Sequence, residues 1–319
     1  MPLYNKAPYV AKAIGSVLNQ AYTDYELVIM DDGSTDDSYT VASQAIEGKD
    51  SCHIYKQKNA GVSMARNNAV ALSRGDYICF LDADDWWAAN FLERMDQLIK
   101  DYPEAGIYGT NYYYVKNGRQ RICVTTAETG YINYCRAFAA KLQMPLWTGA
   151  TCIPRIIFNK FEGFRPHISI GEDFDLWIKV AMKYKVAFLD EPLSFYFQDS
   201  DATWRLVSKL HEPKSNVLWN LDYLEEEEKH NPDYKVLIDS LRANGLISYY
   251  LSKRYRDAAR KELAKVDWSI QPSSLRALYK KPIWYVKSMR RIRRAGSVIK
   301  QRLSAYLNRH LSNGHEFSR

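Results

Sequence analysis

The chain has 319 residues, 46% hydrophobic and 25% charged, the balance of a folded globular protein with room for about two domains. No apolar run approaches the roughly 20 residues that would span a bilayer, and no secretory signal is readable. The formal charge of +7 is unevenly held: residues 271–319 carry twelve Lys/Arg against Glu316, a net of +11, so residues 1–270 sum to −4. The five cysteines (Cys52, Cys79, Cys123, Cys135 and Cys152) have neither CxxC nor metal spacing, which points to reduced thiols in a reducing, cytoplasmic compartment.

In chain order, residues 1–6 read as the end of a strand running into a turn. Residues 9–18 have helical spacing, with Val10, Ile14, Val17 and Leu18 on one side. Residues 25–30 read as a strand ending in Asp31-Asp32-Gly33-Ser34, with Thr35 as the N-cap of a helix reaching Ala45. A short strand over 53–56, a helix over 62–72 and a strand over 77–81 follow. Residues 91–100 read as a helix, and 105–115 as a Tyr-rich strand. The stretch 122–143 has no clear period. Further elements are a strand over 148–153, a helix over 174–182 and a strand over 186–189 closed by Pro192. Strands alternating with helices in this way imply βαβ units and a parallel sheet. Beyond residue 205 the pattern is helical, over 217–229, 234–263 (broken near Gly245 or Ser252) and 273–311, so the expected division is 1–205 and 206–319.

The strand over 77–81 runs into Asp82-Ala83-Asp84-Asp85. Unpaired carboxylates are not carried into a core, because each such burial costs several kcal/mol (~5). These acids therefore belong at the mouth of a sheet, where open α/β folds bind ligands. Asp82 and Asp84 would share a side if strand geometry persisted, and two such oxygen donors suit Mg²⁺ or Mn²⁺ carrying a phosphate. The competing reading is an acidic loop capping a helix from Trp86 onward. Trp86 and Trp87 suit either a sugar-stacking platform or the core packing of that helix.

At this point the chain resembles the inverting GT-A glycosyltransferases of family 2. The resemblance rests on Pro2-Leu3-Tyr4-Asn5, Ser16-Val17-Leu18-Asn19-Gln20, Asp31-Asp32-Gly33-Ser34-Thr35-Asp36, the segment Asn59 to Asn67, the acid run and Gly171-Glu172-Asp173, in the family's order. It implies an α/β GT-A fold, a Rossmann-like mixed, mostly parallel sheet flanked by helices, with a helical C-terminal extension. It further implies transfer of one sugar from a nucleoside diphosphate sugar, a UDP-sugar above all, to a hydroxyl of a glycan or lipid-linked glycan acceptor in bacterial surface polysaccharide synthesis. Under it Pro2 and Tyr4 flank the nucleotide, Tyr4 stacks on the base, and Asp32 accepts from the ring N–H of uracil. Arg66 faces the nucleotide or diphosphate, Asp82 the ribose, and Asp84 holds Mn²⁺ or Mg²⁺. Asp85 orients water or acceptor, and Asp173 is the general base, with Glu172 beside it.

Three departures accompany the resemblance. The family's first strand begins before Pro-x-Tyr-Asn, so translation is expected to start upstream of Met1, the alternative being a sheet short of one strand. Tyr196-Phe197-Gln198-Asp199 lacks the arginine that often follows the tyrosine there, and no Q-x-x-R-W segment marks a processive synthase. A nucleotide-sugar-binding or scaffold protein with an impaired transferase site is the alternative reading. In the tail, Ile292, Ala295, Ile299, Leu303 and Tyr306 recur at three and four among Arg290, Arg291, Arg293, Arg294, Lys300, Arg302 and Arg309. Such a helix suits peripheral binding to an anionic membrane at the inner face of the plasma membrane, or packing on the protein itself. Nucleic acid is not an expected partner, since the tail has no interleaved aromatics or recognition motif.

Overall fold

The opening strand is two residues long: β1 (Pro2–Leu3) lies parallel to β2 (Leu27–Asp31), with Pro2 opposite Met30 and Leu3 opposite Asp31. The computed structural model describes residues 1–198 and 210–292. It divides into two compact units at Leu241/Arg242, so the compositional boundary at 205/206 falls inside the first.

In the first unit β2 also pairs in parallel with β3 (Cys52–Lys56), giving the order β1-β2-β3. All five residues of β2 are buried, as a strand covered on both faces requires. Between these strands run α1 (Ala7–Leu18), which accepts Pro8 in its first turn and buries Val10, Ala13, Ile14 and Val17, and α2 (Ser38–Ala45). Helix α2 does not start at Thr35. The Thr35 N–H donates instead to Asn5 Oδ1 at 2.8 Å, and Asp37 is the N-cap residue. That bond ties the turn after β2 to the turn after β1, where Asn5 has φ 51°.

Helix α3 (Val62–Leu72) leads to β4 (Tyr77–Cys79), which is shorter than its apolar run. Trp86 and Trp87 do not begin a helix. They form β5 (Trp86–Trp87), and the helix α4 (Phe91–Asp101) starts four residues later. Trp87 stacks on Phe91 with centroids 4.2 Å apart and donates its Nε1–H to the Gly149 carbonyl at 2.6 Å, so this tryptophan is core. Trp86 stacks on Phe195 at 5.3 Å.

A long Tyr-rich strand, β6 (Ala105–Lys116), follows, then β7 (Arg119–Ile122), β8 (Gly130–Ile132) and α5 (Tyr134–Lys141), which account for the stretch without a readable period. Residues 148–150 are a 3₁₀ turn, and the strand begins only at β9 (Thr151–Pro154). After α6 (Arg155–Lys160) comes α7 (Glu172–Ala181), so Glu172 and Asp173 lie in its first turn. Strand β10 (Lys185–Phe197) is not closed by Pro192 but runs through it, with register shifts on either side of that residue. A proline has no N–H to give to a ladder, and an irregularity there lets the strand continue. The second sheet has the order β4-β9-β6-β10-β5. Its long β6–β10 pair is parallel, and β4–β9, β6–β9, β6–β7, β8–β10 and β5–β10 are antiparallel. One apolar cluster, including Leu3, Ile14, Ile29, Leu81, Phe91, Tyr108 and Leu189, joins both sheets to α1 and α4.

The region expected as one helix over 217–229 consists of two 3₁₀ turns and α8 (Glu225–His230). The stretch 234–263 is interrupted at both suggested places, giving α9 (Pro232–Gly245), α10 (Ile247–Leu251) and α11 (Arg256–Leu263). In the second unit α12 (Ser273–Lys280) ends before Pro282, and residues 283–292 are again helical. The rest of the predicted tail helix, with Ala295, Ile299, Leu303 and Tyr306, lies outside the described residues, as does Asp199.

Candidate active site

Asp31 ends β2 and Asp32 follows it, and both are buried. Asp31 accepts from the Ser34 N–H at 3.4 Å, a turn bond. Asp32 orders the loop that enters α3: Gln57 Nε2 and the Ala60 N–H donate to its Oδ1 at 2.7 and 2.8 Å, and the Gly61 N–H to its Oδ2 at 2.9 Å. Gly61 holds φ 89°, a conformation that suits glycine, and from it α3 starts with Arg66 on its buried face. Pro2 is buried in β1, and Tyr4 is half-buried where β1 turns toward α1.

The acids after β4 lie in a turn rather than a strand, closed by the Asp85 N–H donating to the Asp82 carbonyl at 3.0 Å. No helix follows for them to cap. The three carboxylates have separate surroundings. Asp84 pairs with Lys6 Nζ, and its side chain is 16% exposed. Asp82 is 25% exposed and accepts from Arg66 Nη2 at 2.7 Å. Asp85 is buried, accepting from the Phe197 N–H at 2.8 Å and from Trp147 Nε1 at 3.3 Å. Burial, followed by the charges of Asp84 and Asp82, pushes its carboxyl well above the usual range. Asp85 therefore braces the turn against β10 and Trp147.

Arg66 joins this turn to α7. Its Nη1 donates to Glu172 Oε1 at 2.9 Å while Nη2 holds Asp82, and the guanidinium is 4% exposed. Burial works against its charge, but Asp82 and Glu172 outweigh that and raise its pKa. Glu172 is pushed up to about 7 by burial and by Asp173, with Arg66 opposing. Asp173 accepts from the Thr148 hydroxyl at 2.7 Å and from the Phe174 N–H at 2.7 Å. The start of α7 depends on Gly171, at φ 77°, where a Cβ would stand 2.5 Å from Val217.

Asp82, Glu172 and Arg66 thus meet on one rim, with Asp84 in the same turn as Asp82 and Asp173 following Glu172 in the first turn of α7. Lys6, Trp147 and Thr148 were not anticipated. Lys6 directly follows the Pro-x-Tyr-Asn turn, which is a signal of a kind. Trp147 lies between the stretch without a period and the strand expected over 148–153, and Thr148 falls in the 3₁₀ turn that replaces the start of that strand. A cavity of about 410 Å³ runs along β2 and β4, with Arg66 on its wall and Leu27, Val28, Phe80 and Leu81 among its lining. None of the four carboxylates lines it, so it is a gap in strand packing and not the acidic rim.

Among the described residues no group of three His, Cys, Asp or Glu would cage a metal unaided. The donor set suits a different mode, in which a hard cation is shared between one or two carboxylates and substrate phosphates. The Lys6 ammonium at Asp84 marks this carboxylate as a seat for positive charge.

The sequence model of Glycosyl transferase family 2 matches residues 1–165. Chondroitin synthase of Escherichia coli is 31% identical over 193 residues, which are 57% of this chain and 26% of that protein. Glycosyltransferase GlyG of Streptococcus pneumoniae is 26% identical over 220 residues, 64% of this chain and 71% of the relative. The chain spans about a quarter of the length of the chondroitin synthase it matches. S. aureus TarS 1-349 in complex with UDP-GlcNAc superposes with a TM-score of 0.70 at 18% identity, covering 90% of this chain and 86% of that one. That likeness shows the fold, mixed α/β with a helical C-terminal region.

Proposed function

Because the chain belongs to glycosyl transferase family 2, we propose that it moves one sugar from a UDP-sugar to a hydroxyl of a glycan or lipid-linked glycan acceptor, with inversion at the anomeric carbon. The observation that carries this reading is Arg66, which holds Asp82 and Glu172 together and so sets the turn of acids after β4 beside the carboxylates of α7. In this reading residues 1–205 are the transferase domain, acting in bacterial surface polysaccharide synthesis.

Each residue has a defined task. Tyr4 stacks on the base, with Pro2 holding its strand. Asp32 already accepts three hydrogen bonds, and a carboxylate offers about four acceptor sites, which leaves one for the ring N–H of uracil. Asp82 meets the ribose through the oxygen that Arg66 does not hold. Asp84 would hold Mn²⁺ or Mg²⁺ together with the diphosphate, and the bound ion supplies Lewis-acid stabilisation of the leaving nucleoside diphosphate. Asp173, oriented by Thr148, takes the acceptor hydroxyl proton as that oxygen bonds to the anomeric carbon and the bond to the diphosphate breaks. The inner face of the plasma membrane is the location that fits, with residues 271–319 as the contact.

Asp173→Asn tests the assignment, because it keeps the shape but cannot take a proton. Its kcat is expected to fall about 10²–10⁴-fold with UDP affinity unchanged, whereas Asp84→Ala loses nucleotide affinity in metal as well as rate. Near wild-type turnover in Asp173→Asn, or a loss of UDP binding as deep as that of Asp84→Ala, would move the base elsewhere, to Glu172 first.

A further inference from the structure

Residues 283–292 are helical, and their exposure splits cleanly around the axis. At about 100° per residue, Ile283, Val286, Met289 and Arg290 share one side. Val286 is buried there, the other three are half-buried, and Arg290 Nη1 donates to Ser248 Oγ at 3.2 Å. Trp284, Tyr285, Lys287, Ser288, Arg291 and Ile292 fall on the opposite side, and all are exposed, Trp284 by 70% and Ile292 by 71%. Lys280 and Lys281 stand exposed just before this helix, with Lys281 Nζ 5.9 Å from the Tyr285 ring. No acidic residue occurs between 271 and 292.

Large apolar groups left in water beside cations, with no anion among them, ask for a surface that is apolar within and negative at its edge. An anionic bilayer has that order. Tryptophan settles at the level of the headgroups, and Lys/Arg beside it meet lipid phosphates. The charge is placed to match, since residues 1–270 carry −4 and the attraction belongs to the C-terminal part alone.

We propose that residues 280–292 form an interfacial contact with an anionic lipid bilayer. Trp284 and Ile292 enter the headgroup boundary, and Lys280, Lys281, Lys287 and Arg291 face the phosphates. This extends the location given with the transferase reading. Lipid binding is measured without sugar transfer, so either can fail alone.

The test is cosedimentation of the full chain with phosphatidylcholine vesicles, with and without phosphatidylglycerol, at low and high salt. Binding is expected only to the anionic vesicles and to weaken with salt. Lys287→Ala/Arg291→Ala should lower the affinity about 30-fold, from the contribution of each cation near a charged surface. Trp284→Ser should weaken the binding that remains at high salt. Circular dichroism should leave both variants as helical as the parent. Equal binding to both vesicle types, or variants that bind like the parent, would overturn the proposal. So would binding to duplex DNA but to neither vesicle, or a variant-sensitive shift from dimer to monomer without lipid binding.

Discussion

Replacing Arg66 with Met removes the cation between Asp82 and Glu172 but leaves an unbranched side chain in a site only 4% exposed. Taking one partner from a buried ion pair costs about 3–5 kcal/mol. Asp82 is one-quarter exposed, and water screens that half, so the lower end, about 3 kcal/mol, is the expected loss. For a domain of this size each kcal/mol moves the melting temperature by roughly 2–4 °C, so Arg66→Met should melt about 6–12 °C lower. The loss has a pH signature. Glu172 is raised from 4.5 to about 7 in the folded chain, so its contribution is fully present below 4.5 and fades as pH rises through 7. Without Arg66 its pKa rises further and the fading extends upward. The deficit of the variant should therefore be smallest near pH 5 and largest near pH 8. Thermal melts of both proteins across that range are the assay. A drop below about 2 °C, or a deficit that grows toward low pH, would refute the account of Arg66 as the clamp of this rim.

Excess EDTA should abolish sugar transfer, and Mn²⁺ or Mg²⁺ should restore it in the parent but not in Asp84→Ala; full activity in EDTA would remove the metal role. UDP should bind more tightly than ADP by roughly 1–3 kcal/mol in calorimetric titration with the same metal, the difference of one mismatched hydrogen bond. Equal affinities would take base recognition away from Asp32.

Local signals were legible where the partner of a residue lies nearby in the chain. The helix over 62–72 was readable because its apolar spacing and the glycine before it are local, and the acid run showed where a strand had to stop. Partners distant in the chain were not. Thr35 looks like a cap until Asn5, thirty residues earlier, takes its N–H. Trp86 and Trp87 look like helix until β10 supplies Ser194 and Phe195 as strand partners. Pro192 reads as a stop because a proline cannot give to a ladder, yet a shift of register on either side carries the strand past it. Arg66 sits mid-helix, where arginines are usually solvated, and only the fold reveals Glu172, 106 residues away. Asp85, grouped with its neighbours by sequence, is separated from them by burial.

The span of β10 also has a consequence in time. Its parallel partner β6 ends at Lys116, and Asp85 receives the Phe197 N–H from 112 residues downstream. Closing such a loop is entropically unfavourable and happens only after the far strand exists. At synthesis rates of about 5–20 residues per second, the acid turn leaves the ribosome roughly 6–22 s before the strand that braces it. Until then β5 lacks its partner, and the carboxyl of Asp85 has no backbone N–H from β10 to hold. The acidic rim therefore gains its brace only once residue 197 has been made, and a nascent fragment ending before Phe197 carries every acid of the rim without the brace that orders the turn.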